Sequence, residues 1–199
     1  MKKIILISLI LCLQKVSSQK IRKDYPLSKI IEETSGLEII DDLFITHNDS
    51  GGEPSLYYLS KKGKILNERK IKSASNTDWE DITKDEKYIY IGDFGNNFNN
   101  RTDLKIFKVP IDRNSKEKNE IISFKYPEQK SFKVNKKTIY DGEGLISIDN
   151  SLIIFTKNRD KRITELYLVS KDPGDYHAKK IGVLNVESIV TGADYNEKL

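Results

Sequence analysis

Three places in the chain gather oxygen donors. Glu33 opens the first, Asp78, Glu80 and Asp81 the second, and Asp141 and Glu143 the third. After one apolar run each is followed by a polar loop. These loops hold His47, Asn48 and Asp49, then Asp93, Asn96 and Asn97, then Asn158. Carboxylates crowded together repel and need solvent, a proton or a counter-cation. Carboxylate and carboxamide oxygens are hard ligands that suit calcium. The candidate metal ligands are therefore Glu33, Asp78, Glu80, Asp81, Asp141 and Glu143, with Asp194 in a further copy of the pattern. Asn48, Asp49, Asp93, Asn96, Asn97 and Asn158 are candidate ligand-binding residues. The alternative is that these acids bond to backbone amides in turns and cap strand ends. The Asp/Asn run of an EF-hand loop is not found.

His47, one of two histidines, is the candidate general base, because imidazole titrates near neutral pH. His177, in a turn-rich stretch, is expected at the surface. Ser50 in Asp-Ser-Gly-Gly lacks the Gly-x-Ser-x-Gly elbow and its strand–turn–helix setting. Arg101 can grip an anion or pair with Asp103, the simpler outcome. Trp79 sits between acids, and strand alternation sends it into the packing opposite its neighbours.

The elements that must position these groups are short strands. Leu43-Phe-Ile, Tyr88-Ile-Tyr-Ile, Leu104-Lys-Ile-Phe-Lys-Val and Leu152-Ile-Ile-Phe are rich in β-branched and aromatic residues and bounded by turn signals. They recur in a fixed order. An acidic segment leads into a first strand, and a polar turn such as Asp41-Asp42 or Asp149-Asn150 follows. A second strand ends in the Asn/Asp loop, a third carries Leu56-Tyr-Tyr-Leu or Leu166-Tyr-Leu-Val, and a looser fourth closes the unit. The repeats start near residues 33, 78, 141 and 190. Four antiparallel strands per repeat is the pattern of a β-propeller blade. A generic β-sandwich is the alternative. Antiparallel pairing sets the start of each first strand beside the end of the second, so the acids and the loops should share one mouth.

Glu33-Thr-Ser-Gly-Leu, Asp78-Trp-Glu-Asp-Ile and Asp141-Gly-Glu-Gly-Leu resemble secreted propellers of the SdiA-regulated type and the "esterase-like activity of phytase" family. That resemblance spans roughly 28–199. It implies a six-bladed ring, export and a bound calcium ion, without a settled reaction. The chain carries about three blades and the start of a fourth, since Leu199 aligns with Leu43 and Leu152. The expectation is a C-terminally truncated piece of a longer propeller, with a closed four-bladed ring as the alternative.

Residues 1–18 have the layout of a secretory signal: Lys2 and Lys3, an apolar run from Ile4 to Leu13, then Val16-Ser17-Ser18. Residues 19–32 form a lead-in and 33–199 the propeller segment. Export to the periplasm or beyond is expected. Leu11 before Cys12 disfavours a lipoprotein, and the apolar run is too short to span a bilayer. Cys12 is the sole cysteine, so the mature chain has neither disulfide nor thiolate metal site. The net charge of +4 includes Lys2, Lys3 and Lys15; without them, basic and acidic residues nearly cancel, which argues against nucleic acid. The functional expectation is an exported, monomeric binding protein with an acidic, calcium-binding mouth that takes a small molecule or a protein. The alternative is a calcium-dependent hydrolase of an ester, lactone or phosphoester.

Overall fold

The computed structural model describes residues 23–196. The expected signal segment, the first lead-in residues and Leu199 lie outside them. Among the described residues the protein is all-β, apart from a 3₁₀ turn at Lys29–Ile31. No helix among them is long and apolar enough to cross a membrane.

The strands form three sheets. The first runs β1 (Thr34–Ile40), β2 (Leu43–Asn48), β3 (Ser55–Leu59) and β4 (Ile65–Lys70), in that spatial order. The second contains β5 (Trp79–Lys84), β6 (Tyr88–Asp93), β7 (Lys105–Pro110) and β8 (Glu120–Lys125). The third contains β9 (Gly142–Ile148), β10 (Ser151–Thr156), β11 (Ile163–Ser170) and, at its edge, β13 (Lys179–Asn185). Neighbours within each four are antiparallel. Tight turns join first and second strands; Asp41, Asp42 and Asp149 take positive φ there, which aspartate tolerates better than most residues.

One segment departs from the repeat. Gly174–His177 forms β12, which pairs in parallel with β8 and makes the second sheet five-stranded. The sequence reading has this stretch as a surface connection. His177 is exposed, but the backbone around it covers the open edge of β8, whose amides and carbonyls would otherwise lack partners. Ala178 anchors the end of β12, fully buried, with its N–H donating to the Lys125 carbonyl at 2.9 Å.

Alternating apolar side chains build the two main cores. Ile45, Leu56 and Tyr58 of the first sheet meet Trp79, Ile82, Ile91 and Phe107 of the second. Tyr90, Ile106 and Phe124 of the second meet Leu145, Ile154 and Tyr167 of the third. Strand β3 is buried on both faces, because Tyr57 and Leu59 turn outward to meet Ile31 of the lead-in. Burying a Leu- or Ile-sized side chain contributes about 1.5–3 kcal/mol, so these clusters hold the sheets face to face. The first strands are neighbours across sheets, β1 against β5 and β5 against β9. The site forms along that row of first strands.

Candidate metal centre

A β-bulge interrupts the start of each first strand. Glu80 is the extra residue of β5, where Trp79 faces Asp93 and Asp81 faces Gly92. Glu143 is the extra residue of β9, between Gly142 facing Thr156 and Gly144 facing Phe155. In β1 it is Gly36, at φ +46°. A bulge re-aims the side chain at the extra position. It also shifts the alternation by one, so Trp79 and Ile82, three apart, both enter the core shared with the first sheet. Just before each bulge, the loop after the second strand is tied to the first. The Asp49 N–H donates to the Glu33 carbonyl at 2.9 Å, Gly95 to Asp78 at 3.2 Å, and Lys157 to Asp141 at 2.7 Å.

This architecture gathers five of the acids into two groups that share Glu80. Asp49, Asp78 and Glu80 form one, and Glu80, Asp141 and Glu143 the other, with ligand atoms in each within 4.8 Å of one another. Either group could hold a metal ion. Gly95 makes the approach feasible: a Cβ there would collide with the Glu80 and Asp78 carboxylates.

The two groups differ in what balances them. Asp141 is fully buried, paired with Arg159 at 2.7 Å, and accepts the Asn96 N–H at 2.7 Å. Glu143 is paired with Lys157. Asp93, also fully buried, is paired with Arg101 at 2.9 Å and lies 3.8 Å from Lys105. By contrast, Asp49, Asp78 and Glu80 have no ion pair among the described residues. The Glu80 carboxyl also accepts no hydrogen bond there, although the residue is only 7% exposed. Burial first, then Glu143, Asp49, Asp78 and Asp141, push its pKa up to about 10. Burial and Asp49 raise Asp78 to about 6, against the pull of Arg101. Burial also raises Glu143, opposed by Lys157.

Several candidates lie elsewhere. Glu33 is exposed and belongs to neither group; only its carbonyl takes part, through Asp49. Asp81 points away, because the bulge before it reverses its face. Its carboxylate accepts N–H groups from Ile82 at 2.8 Å, Leu145 at 2.9 Å and Ala193 at 3.1 Å. Burial raises Asp81 to about 7 in spite of those donors. Asp194 is exposed and caps the Tyr195 N–H at 2.8 Å.

His47 is fully buried, edge-on to Trp79 with ring centroids 5.5 Å apart. Its Nδ1 lies 2.9 Å from the Asn48 carbonyl, and its Nε2 has no partner among the described residues. Burial lowers its pKa to about 4, so the ring is neutral. Gly36 gives it room, since a Cβ there would stand 2.8 Å from Nε2.

The carboxamides mostly brace loops. Asn48 donates to the Ile30 carbonyl at 2.7 Å, Asn96 to the Tyr140 carbonyl at 3.2 Å, and Asn158 accepts the Lys161 N–H at 2.9 Å. Asn97 accepts from Arg159 at 2.5 Å, beside the second group. Arg101 reaches both Asp103, at 3.1 Å, and Asp93. Lys157 and Arg159 are the site residues that sequence reasoning did not include. They flank Asn158, and their alternation about it was the available signal.

In comparisons with known proteins, no protein-family model matches the chain, and no curated protein matches it.

Proposed function

We propose that the chain is an exported binding protein whose acid-lined mouth holds a divalent cation, calcium by its ligand chemistry. The observation that carries this reading is the Glu80 carboxyl. It is nearly fully buried, shared by two acid groups, and without a donor or cation of its own among the described residues. A buried carboxylate in that setting is costly unless it is protonated or neutralised by a cation. Asp49, Asp78 and Glu80 are the ligands, because Asp141 and Glu143 already have Arg159 and Lys157. All are oxygen donors, the set that suits a hard ion, and backbone carbonyls and water can complete six to eight positions.

The three sheets are consecutive blades of a propeller in this reading. The row β1, β5, β9 supports it, as does the repeated bulge. Exposed Leu37 and Ile39 on β1 and Val183 and Leu184 on β13 support further packing at the outer sheets. The mouth then offers the ion to a ligand or partner carrying oxygen donors. His47, sealed beside Trp79, lends no support to a hydrolase.

Calorimetric titration tests the site. The expected result is stoichiometric calcium binding by the wild type, lost or weakened about tenfold or more in Glu80→Gln, which removes one charged ligand. No binding by the wild type, or equal affinity in the variant, overturns it.

A further inference from the structure

A basic groove of about 560 Å³ lies between the first and second sheets and shares no residue with the acid groups. One wall is the end of β4, with Arg69 and Lys70, followed by Lys72; the other is the β7–β8 connection, with Arg113, Glu117 and Lys118. Asn119 closes it by donating to the Lys72 carbonyl at 3.2 Å. Five cations thus face a single carboxylate, and that one, Glu117, accepts a bond from the Tyr88 hydroxyl at 3.0 Å. Of these five, only Lys70 is paired with a carboxylate among the described residues, that of Glu53.

Both guanidinium groups are held in place without a carboxylate among the described residues. Arg69 donates to the Pro110 carbonyl at 2.7 Å, across the sheet boundary. Arg113 lies over the Tyr58 ring, 5.1 Å from its centroid, and Tyr58 is itself buried in the core. A fixed, planar guanidinium matches the paired oxygens of phosphate and sulfate, and less freedom is lost on binding than with a loose side chain. The volume falls within the range of small-ligand sites.

We propose that this groove binds a ligand carrying two or more phosphate or sulfate groups. Arg69 and Arg113 are the fixed forks, and Lys72 and Lys118 supply the outer charges. The proposal is independent of the metal centre.

The test is calorimetry on the full chain at low salt and in chelator, which keeps the acid groups out of the measurement. One arm uses tripolyphosphate and the other a sulfated disaccharide, so phosphate and sulfate preference separate. At least one arm should bind, and Arg113→Gln and the pair Lys72→Gln/Lys118→Gln should each weaken it about tenfold, the scale of a lost charge-assisted bond. These positions are exposed, so the variants should fold; Arg69 is left intact because it also ties the sheets together. The control pair Lys61→Gln/Lys137→Gln should bind as the wild type does. Absence of binding in both arms, or equal weakening in the control, overturns the proposal.

Discussion

Glu80 and Glu143 hold the same position in consecutive sheets: each is the extra residue where the first strand bulges past the second. The bulge turns both glutamates into the acidic group. Only Glu143 meets a lysine there. The same geometry thus yields one neutralised and one unneutralised carboxylate, and the second sets the behaviour of the site.

The first prediction concerns pH. Asp78, Asp81 and Glu80 have folded pKa values of about 6, 7 and 10, all above their unfolded values. At a pH between the two values the folded state holds protons that the unfolded state has released, so stability falls as pH rises through that window. In chelator, the melting temperature should decline from pH 5 to pH 9. Saturating calcium should offset the Asp78 and Glu80 part of this loss at pH 8 and have little effect at pH 5, because protons and the cation compete for those oxygens; the Asp81 part should remain. A calcium shift that is the same at both values would contradict the assignment.

A methyl group placed at Gly95 should block the site without touching a ligand. Its Cβ would run into the Glu80 and Asp78 carboxylates. Gly95→Ala should cost about 1–3 kcal/mol of overpacking. Calcium affinity should drop about tenfold, with the β-sheet circular dichroism retained. Wild-type affinity in this variant would show that the ion sits elsewhere.

His47 should contribute stability that is lost in acid. Its ring is buried neutral, with a folded pKa near 4 against an unfolded 6.5, so stability is complete above 6.5 and is lost as pH falls toward 4. The full effect is about 3 kcal/mol, from 1.36 kcal/mol per pKa unit. The raised carboxylates act in the opposite sense over the same range, so the measurement is a difference: the stability of the wild type minus that of His47→Leu should grow between pH 4 and 6.5. A difference that stays constant across that range would place the titration on another group.

Asp81 should matter for its oxygens more than its charge. It accepts N–H groups from Ile82, Leu145 and Ala193, joining β5 to β9 and to the segment beyond β13. Asp81→Asn keeps the acceptor toward Leu145 and Ala193 but turns its NH2 on the Ile82 N–H, and should cost about 1–2 kcal/mol, whereas Asp81→Ala strands all three donors and should cost about 3–5 kcal/mol. Urea unfolding distinguishes the two, and equal losses would refute this role.

Much of the fold was legible in the sequence because a half-buried strand must alternate and its turns need residues that tolerate positive φ. Asp41-Asp42 and Asp149-Asn150 mark the turns where the structure has them. The strands ending in His47-Asn48, Asp93 and Thr156 were visible in the same way. The bulges were not, since a skipped residue depends on the partner strand. Strict alternation sends Trp79 inward correctly but leaves Asp81 on the wrong side. β12 was equally hidden, because its four residues become a strand only when β8 offers a free edge.

By itself, then, the sequence determined the strands, their order and a supply of oxygen donors at the start of each repeat. Local residue types decide those, through backbone sterics and the two-residue period. Only the tertiary structure decided which acids keep a cation partner. Arg159, in the loop after β10, reaches Asp141 of its own hairpin and Asn97 of the preceding sheet, and Lys157 reaches Glu143, while Glu80 has no cation partner among the described residues. Charge balance inside a protein depends on distance and burial, and packed sheets set both.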